Sequence, residues 1–175
     1  MATKKTSMFT LTERITLSTT DALVTATIDL GSYVDVGDRQ ALQVHSVDYI
    51  FQGTTASAQM PDSLLAGQST LVQVTDLNRG GLVFANDRAL VSSAALFQSS
   101  AGDLNMDTDL YPDNYGKGSD DGRYVVNDAL YLSAVSTGVA ANEEINCVVR
   151  VNASIVTLSN KDFMAIAIQS TAADN

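Results

Sequence analysis

Between Gly102 and Gly122 the chain reads GDLNMDTDLYPDNYGKGSDDG, with aspartates at 103, 107, 109, 113, 120 and 121. Oxygen side chains at alternating positions are what a calcium loop uses, and Asp103, Asn105, Asp107 and Asp109 supply that alternation. An EF-hand also needs glycine in its sixth place and a bidentate glutamate in its twelfth, where Thr108 and Asn114 stand instead. The stretch from Asp103 to Asp121 is therefore expected to be a hydrated, projecting loop whose aspartates and Pro112 stop strand pairing. A looser calcium site is the alternative.

The other reactive side chains are few. His45 is the single histidine and lies near Asp48, but no serine sits in a G-x-S-x-G turn to complete a triad with them. The single cysteine, Cys147, falls in an alternating apolar pattern and is expected to be a buried, inert thiol. One histidine and one cysteine cannot assemble a zinc site of such ligands within one chain. Carboxylate pairs of the glycosidase kind are conceivable among 20 acids, yet aromatics are 6% of the chain and tryptophan is absent, which argues against a sugar-processing cleft. Gly80–Gly81 lacks the strand and helix of a dinucleotide site and reads as a hairpin turn. No catalytic, cofactor-binding or metal-binding residue is assigned, and no enzyme is expected.

These residues need a scaffold, and 175 residues with 45% hydrophobic and 17% charged side chains suit one folded domain. A formal charge of −10 opposes a phosphate-neutralising surface, so strong nucleic-acid binding is not expected. Lys4–Lys5 is the only basic cluster and reads as part of a solvated arm over residues 1–8. Neither a signal peptide nor an 18-residue uncharged span is seen, so synthesis in a cytoplasm is expected.

Period-two alternation dominates the rest. In EEINCVVRVNASIVTLS, Ile145, Cys147, Val149, Val151, Ala153 and Ile155 share one side, as in a long half-buried strand. Val148 and Val156 break that pattern. DALVTATIDLG alternates in the same way from Ala22 to Leu30. In RQALQVHSVDYIFQG the apolar parity slips between Val44 and Val47, which predicts a bulge near His45–Ser46. Further strands are expected at 9–18, 69–77, 89–97 and 123–135, and a short helix after Pro61. LSNKDFMAIAIQS carries a helix-capping pair, Ser159 and Asp162, but Met164, Ile166 and Ile168 alternate, and the alternation tips 158–170 toward a closing strand. Each strand must bury one face, so the expected fold is an all-β, two-sheet antiparallel sandwich of jelly-roll type spanning residues 9–175.

Taken together, MATKKTSMFTLTERITLS, RQALQVHSVDYIFQG, DGRYVVNDALYLSAVSTG and EEINCVVRVNASIVTLSNKDF resemble a viral single jelly-roll major capsid protein of a tailless icosahedral virus. The resemblance implies an eight-stranded structural subunit, assembling with copies of itself into an icosahedral shell and found in the virion. The chain lacks the arginine-rich arm of single-stranded genome packagers. A shell over an internal membrane or inner protein layer, with or without a second capsid protein, suits so acidic a subunit better. Leu23, Val148, Val156 and Leu158, apolar on nominally outer faces, are the candidate interface residues. The competing readings are a calcium-dependent carbohydrate- or ligand-binding sandwich and, last, a carboxylate hydrolase.

Overall fold

The computed structural model describes residues 3–55, 60–112, 118–119 and 122–172. Two antiparallel sheets carry the chain. Sheet A contains β1 (Thr3–Lys4), β2 (Phe9–Leu17), β4 (Gln40–Gln52), β8 (Gly118–Ser119), β9 (Gly122–Val125) and β11 (Ile145–Thr157). Sheet B contains β3 (Val24–Asp29), β5 (Ser69–Thr75), β6 (Leu90–Gln98), β7 (Leu104–Thr108) and β10 (Ala129–Ser136). Two helices complete it, α1 (Met60–Ser63) and α2 (Asn160–Ala172).

β1 and β2 run along the same side of β11, Thr3 opposite Thr157 and then Phe9 opposite Ala153, so they act as one interrupted strand. Thr3 and Lys4, expected in a solvated arm, thus contribute to the sheet. With β1 and β2 counted once and the added β7 and β8 set aside, sheet A runs first, eighth, third, sixth and sheet B runs second, seventh, fourth, fifth. That order is two interleaved Greek keys, the jelly-roll sandwich the alternation predicts. The inner faces meet in one core, with Ile15, Leu42, Val47, Cys147 and Val149 from sheet A against Ile28, Val72, Leu96, Leu130 and Leu132 from sheet B.

The bulge falls where the parity slip places it. Asn152 pairs with Ser46 and Ala153 with Val44, leaving His45 as the extra residue. Leu42 and Val44 before it, and Val47 and Tyr49 after it, consequently all enter the core. Gly122 sits against this irregularity at φ 143°, and a Cβ there would run into the Val44 carbonyl oxygen. Two asparagines on the outer side of β11 lace it to its neighbours. Asn152 accepts from Thr10 Oγ1 at 2.7 Å and donates to Ser46 Oγ at 2.9 Å. Asn146 accepts from Thr16 Oγ1 at 2.7 Å and donates to the Gly53 carbonyl at 2.9 Å.

Three expectations change. The run 123–135 is two strands on different sheets, β9 and β10, because Val126–Asp128 carries the chain from one layer to the other. The expected acidic loop contains a strand, β7, paired along β6 from Ala94–Thr108 to Gln98–Leu104. The closing strand is instead the helix α2. Ser159 accepts from the Asp162 amide at 3.2 Å and donates to its carboxylate at 2.8 Å, which holds that carboxyl below the usual aspartate range. Phe163, Ile166 and Ala167 face the protein at helical spacing while Met164 and Ile168 stay exposed, so the alternation of apolar residues did not mark a sheet face.

α2 lies on the outer side of sheet A and forms a second cluster with Ala41, Val126, Val156 and Leu158. Val156 and Leu158 are therefore covered by their own chain and leave the set of interface candidates. Val148 is half-buried and Leu23 is 43% exposed. No helix among the described residues is long and apolar enough to cross a membrane.

Candidate functional site

The acidic stretch was the first candidate, and its backbone decides what it can hold. Asp103 and Asp107 are exposed and Asp109 is half-buried, on or beside β7. Extended backbone sets alternate side chains about 7 Å apart along a line, whereas calcium needs oxygens converging at about 2.3–2.6 Å. The alternation that resembled a calcium loop is the two-residue repeat of a strand. Among the described residues no group of three or more acidic, histidine or cysteine side chains gathers to hold a metal. Asp113, Asp120 and Asp121 lie outside the described residues.

Asp107 and Asp109 border a shallow groove of about 420 Å³ on the outer face of sheet B, where Leu71, Ser93 and Ala95 also line it. The chain then crosses between layers. Ser92 Oγ donates to the Asp109 carbonyl, and the Leu110 carbonyl accepts from Val47 N at 2.9 Å, just past the β4 bulge.

His45 finds a serine after all: its Nε2 lies 2.9 Å from Ser154 Oγ, across the β4–β11 pairing. Strand register brings the two together, so nothing in local sequence spacing reveals the contact. Ser154 is fully buried, and an attacking oxygen must be reachable by its substrate. Asp48, the acid that sequence places nearest, is engaged elsewhere, accepting from Asn152 Nδ2 at 3.2 Å. The pair is a packed strand contact.

Cys147 is buried in the core, where desolvation pushes its thiol from an ordinary 9.0 up to about 12. Burial likewise raises the Tyr49 phenol, with the Ser92 hydroxyl pulling the other way. Both groups ionise more readily in the unfolded chain. Their contribution to stability is complete below pH 9 and is lost as pH rises toward the folded values. The native thiol is expected to resist a disulfide reagent at neutral pH and to react fully once urea unfolds the chain. A native rate matching that of the unfolded chain would contradict this burial.

One charged constellation escaped sequence reasoning. Arg123 on β9 and Asp76 just beyond β5 form an ion pair at 2.7 Å with both side chains essentially inaccessible. Arg123 also donates to the carbonyls of Arg88, at 2.7 Å, and Leu90, while Asn127 donates to the Asp76 carbonyl. It joins the two sheets and offers no opening to a ligand.

The surface supplies the remaining candidates. Residues 76–89 join β5 to β6 as an extended loop in place of the hairpin turn expected at Gly80–Gly81, with Gly80 at φ 67°. The Gln73 side chain binds both main-chain groups of Val83, donating and accepting at 2.8 Å, and Arg79 pairs with Asp87 at 3.2 Å. The braced loop presents Phe84, 87% exposed. An aromatic ring held in water on a pre-ordered loop loses little conformational freedom when it is covered.

No protein-family model and no curated protein matches the chain.

Proposed function

We propose that the chain is a structural subunit, a jelly-roll capsid protein that self-assembles into a closed icosahedral shell. The observation that carries this reading is the strand order, that of a two-Greek-key sandwich. A jelly roll is a stiff tile, and such folds serve widely as capsid domains. Fold alone does not assign function, so the reading also rests on the surface. Leu23 before β3, Phe84 on the β5–β6 loop, and Met164 with Ile168 on α2 are large apolar side chains exposed at three places, as a tile with several neighbours requires.

The subunit carries a formal charge of −10, so copies repel at low ionic strength. Added salt shortens the reach of that repulsion to about 8 Å at physiological strength. The protein is thus expected to be small on a sizing column at low salt and to form large symmetric particles, visible by electron microscopy, as salt or divalent cations are added. A monomer at every salt and protein concentration tested would refute the reading. The calcium-dependent binding module gains no support from the extended backbone of β7.

A further inference from the structure

β7 is the outermost strand of sheet B and lies outside the eight strands that enclose the core. All of its residues are exposed, which holds for no other described strand longer than two residues. A strand that buries so little apolar surface adds little to folding. What it does provide is an edge. Ser99 N donates to the Asp103 carbonyl at 2.8 Å and Asp109 N to the Ser93 carbonyl at 2.9 Å, which sets the phase of the ladder between them. The main-chain groups of Asp103, Asn105, Asp107 and Asp109 face β6, so those of Leu104, Met106 and Thr108 face outward. Of the usual means of keeping such an edge from pairing, LNMDT has no lysine, proline or bulge, and its one charge is Asp107, which repels an acidic strand and attracts a basic one.

The side chains divide in the same rhythm. Asp103, Asn105, Asp107 and Asp109 share the outer face with Ala95 and Phe97, while Leu104 and Met106, 37% and 45% exposed, share the opposite one. Asp107 and Asp109 also edge the groove containing Leu71 and Ala95. We propose that this edge takes up an extended strand from a partner protein that carries lysine or arginine at alternate positions and apolar residues between them. The partner backbone pairs with Leu104, Met106 and Thr108. Its basic heads meet the row of acids, and its apolar residues cover Leu104 and Met106. Charge selects this occupant over a second copy. The chain is itself acidic at −10, and β7 paired antiparallel with its twin about Met106 would set Asp103 against Asp109. The inference goes beyond shell formation and does not depend on it.

The probe is a short fluorescein-labelled peptide of alternating lysine and valine, with a scrambled peptide of equal composition as control, followed by anisotropy at low ionic strength. The alternating peptide is expected to bind at least about tenfold more tightly than the scrambled one. Met106→Pro removes an outward amide and leaves the β6 ladder intact, so it is expected to weaken binding by about tenfold. Asp103→Asn/Asp107→Asn, at two exposed positions, is expected to weaken binding and flatten its salt dependence. The proposal is overturned if neither peptide binds, if both bind equally, or if Met106→Pro changes nothing. Self-association abolished by Met106→Pro, without peptide binding, would give the edge to a second copy and overturn it as well.

Discussion

Arg123→Ala is expected to lower the free energy of unfolding by about 3–5 kcal/mol, the largest effect of any single substitution considered for this fold. The guanidinium has no accessible surface, donates to Asp76 Oδ2 at 2.7 Å, and also reaches carbonyls at Arg88 and Leu90. Its removal strands a carboxylate and two carbonyls where water was excluded, and an unmatched buried charge is more damaging than a pair that was never there. Asp76→Ala should be comparably severe for the converse reason. The double variant Arg123→Ala/Asp76→Ala should cost less than the sum of the single changes, because neither charge is then left behind. Urea unfolding of the four proteins forms the cycle. Single substitutions that each cost under about 1 kcal/mol would show that the clasp between β9 and the end of β5 is not holding the layers together.

Phe163→Ala is the second, with an expected loss of about 3 kcal/mol. Phe163 is 4% exposed and, with Ile166, seals α2 over Ala41, Val126, Val156 and Leu158. This cluster is separate from the sandwich core, so the loss should be local. Hydrogen exchange across residues 158–168 should accelerate strongly while amides of β11 before Ala153 and of β10 keep their protection. Uniform acceleration through both sheets would mean that α2 and the sandwich unfold as one unit. Detachment also bares Val156 and Leu158, so this variant should aggregate more readily than Arg150 or Thr12 variants on the exposed part of the same sheet.

The parts of the fold that were legible in sequence are those with one wet face and one dry one. β11 and β3 advertised themselves by alternation, and the slip between Val44 and Val47 located the His45 bulge because each core residue had to keep facing inward. β7 carried the alternation as well, but both of its faces are exposed and aspartate and asparagine have low strand propensity, so the repeat read as a row of calcium ligands in a loop. The break between β9 and β10 went unread although Asn127–Asp128 stands at the crossing, because Val125, Val126, Ala129 and Leu130 on either side are all buried, in different layers, and read as one apolar strand. α2 was misread because Met164 and Ile168 are apolar on its exposed side. Arg123 carried no hint at all. An arginine in sequence reads as solvated, and only register across two sheets shows that Asp76 awaits it.

The seat of β11 between β2 and β4 governs the order in which the chain can become itself. As the polypeptide emerges from a ribosome, β2 precedes β3 to β10, yet the strand it pairs with along Phe9–Leu17 follows all the other described strands. Until then β2 has none of that pairing, and closing so long a loop is slow compared with forming a hairpin. Folding of sheet A thus waits for β11, and a ribosome stalled before Ile145 would hold a nascent chain with β2 and one side of β4 unmatched, a natural client for chaperones.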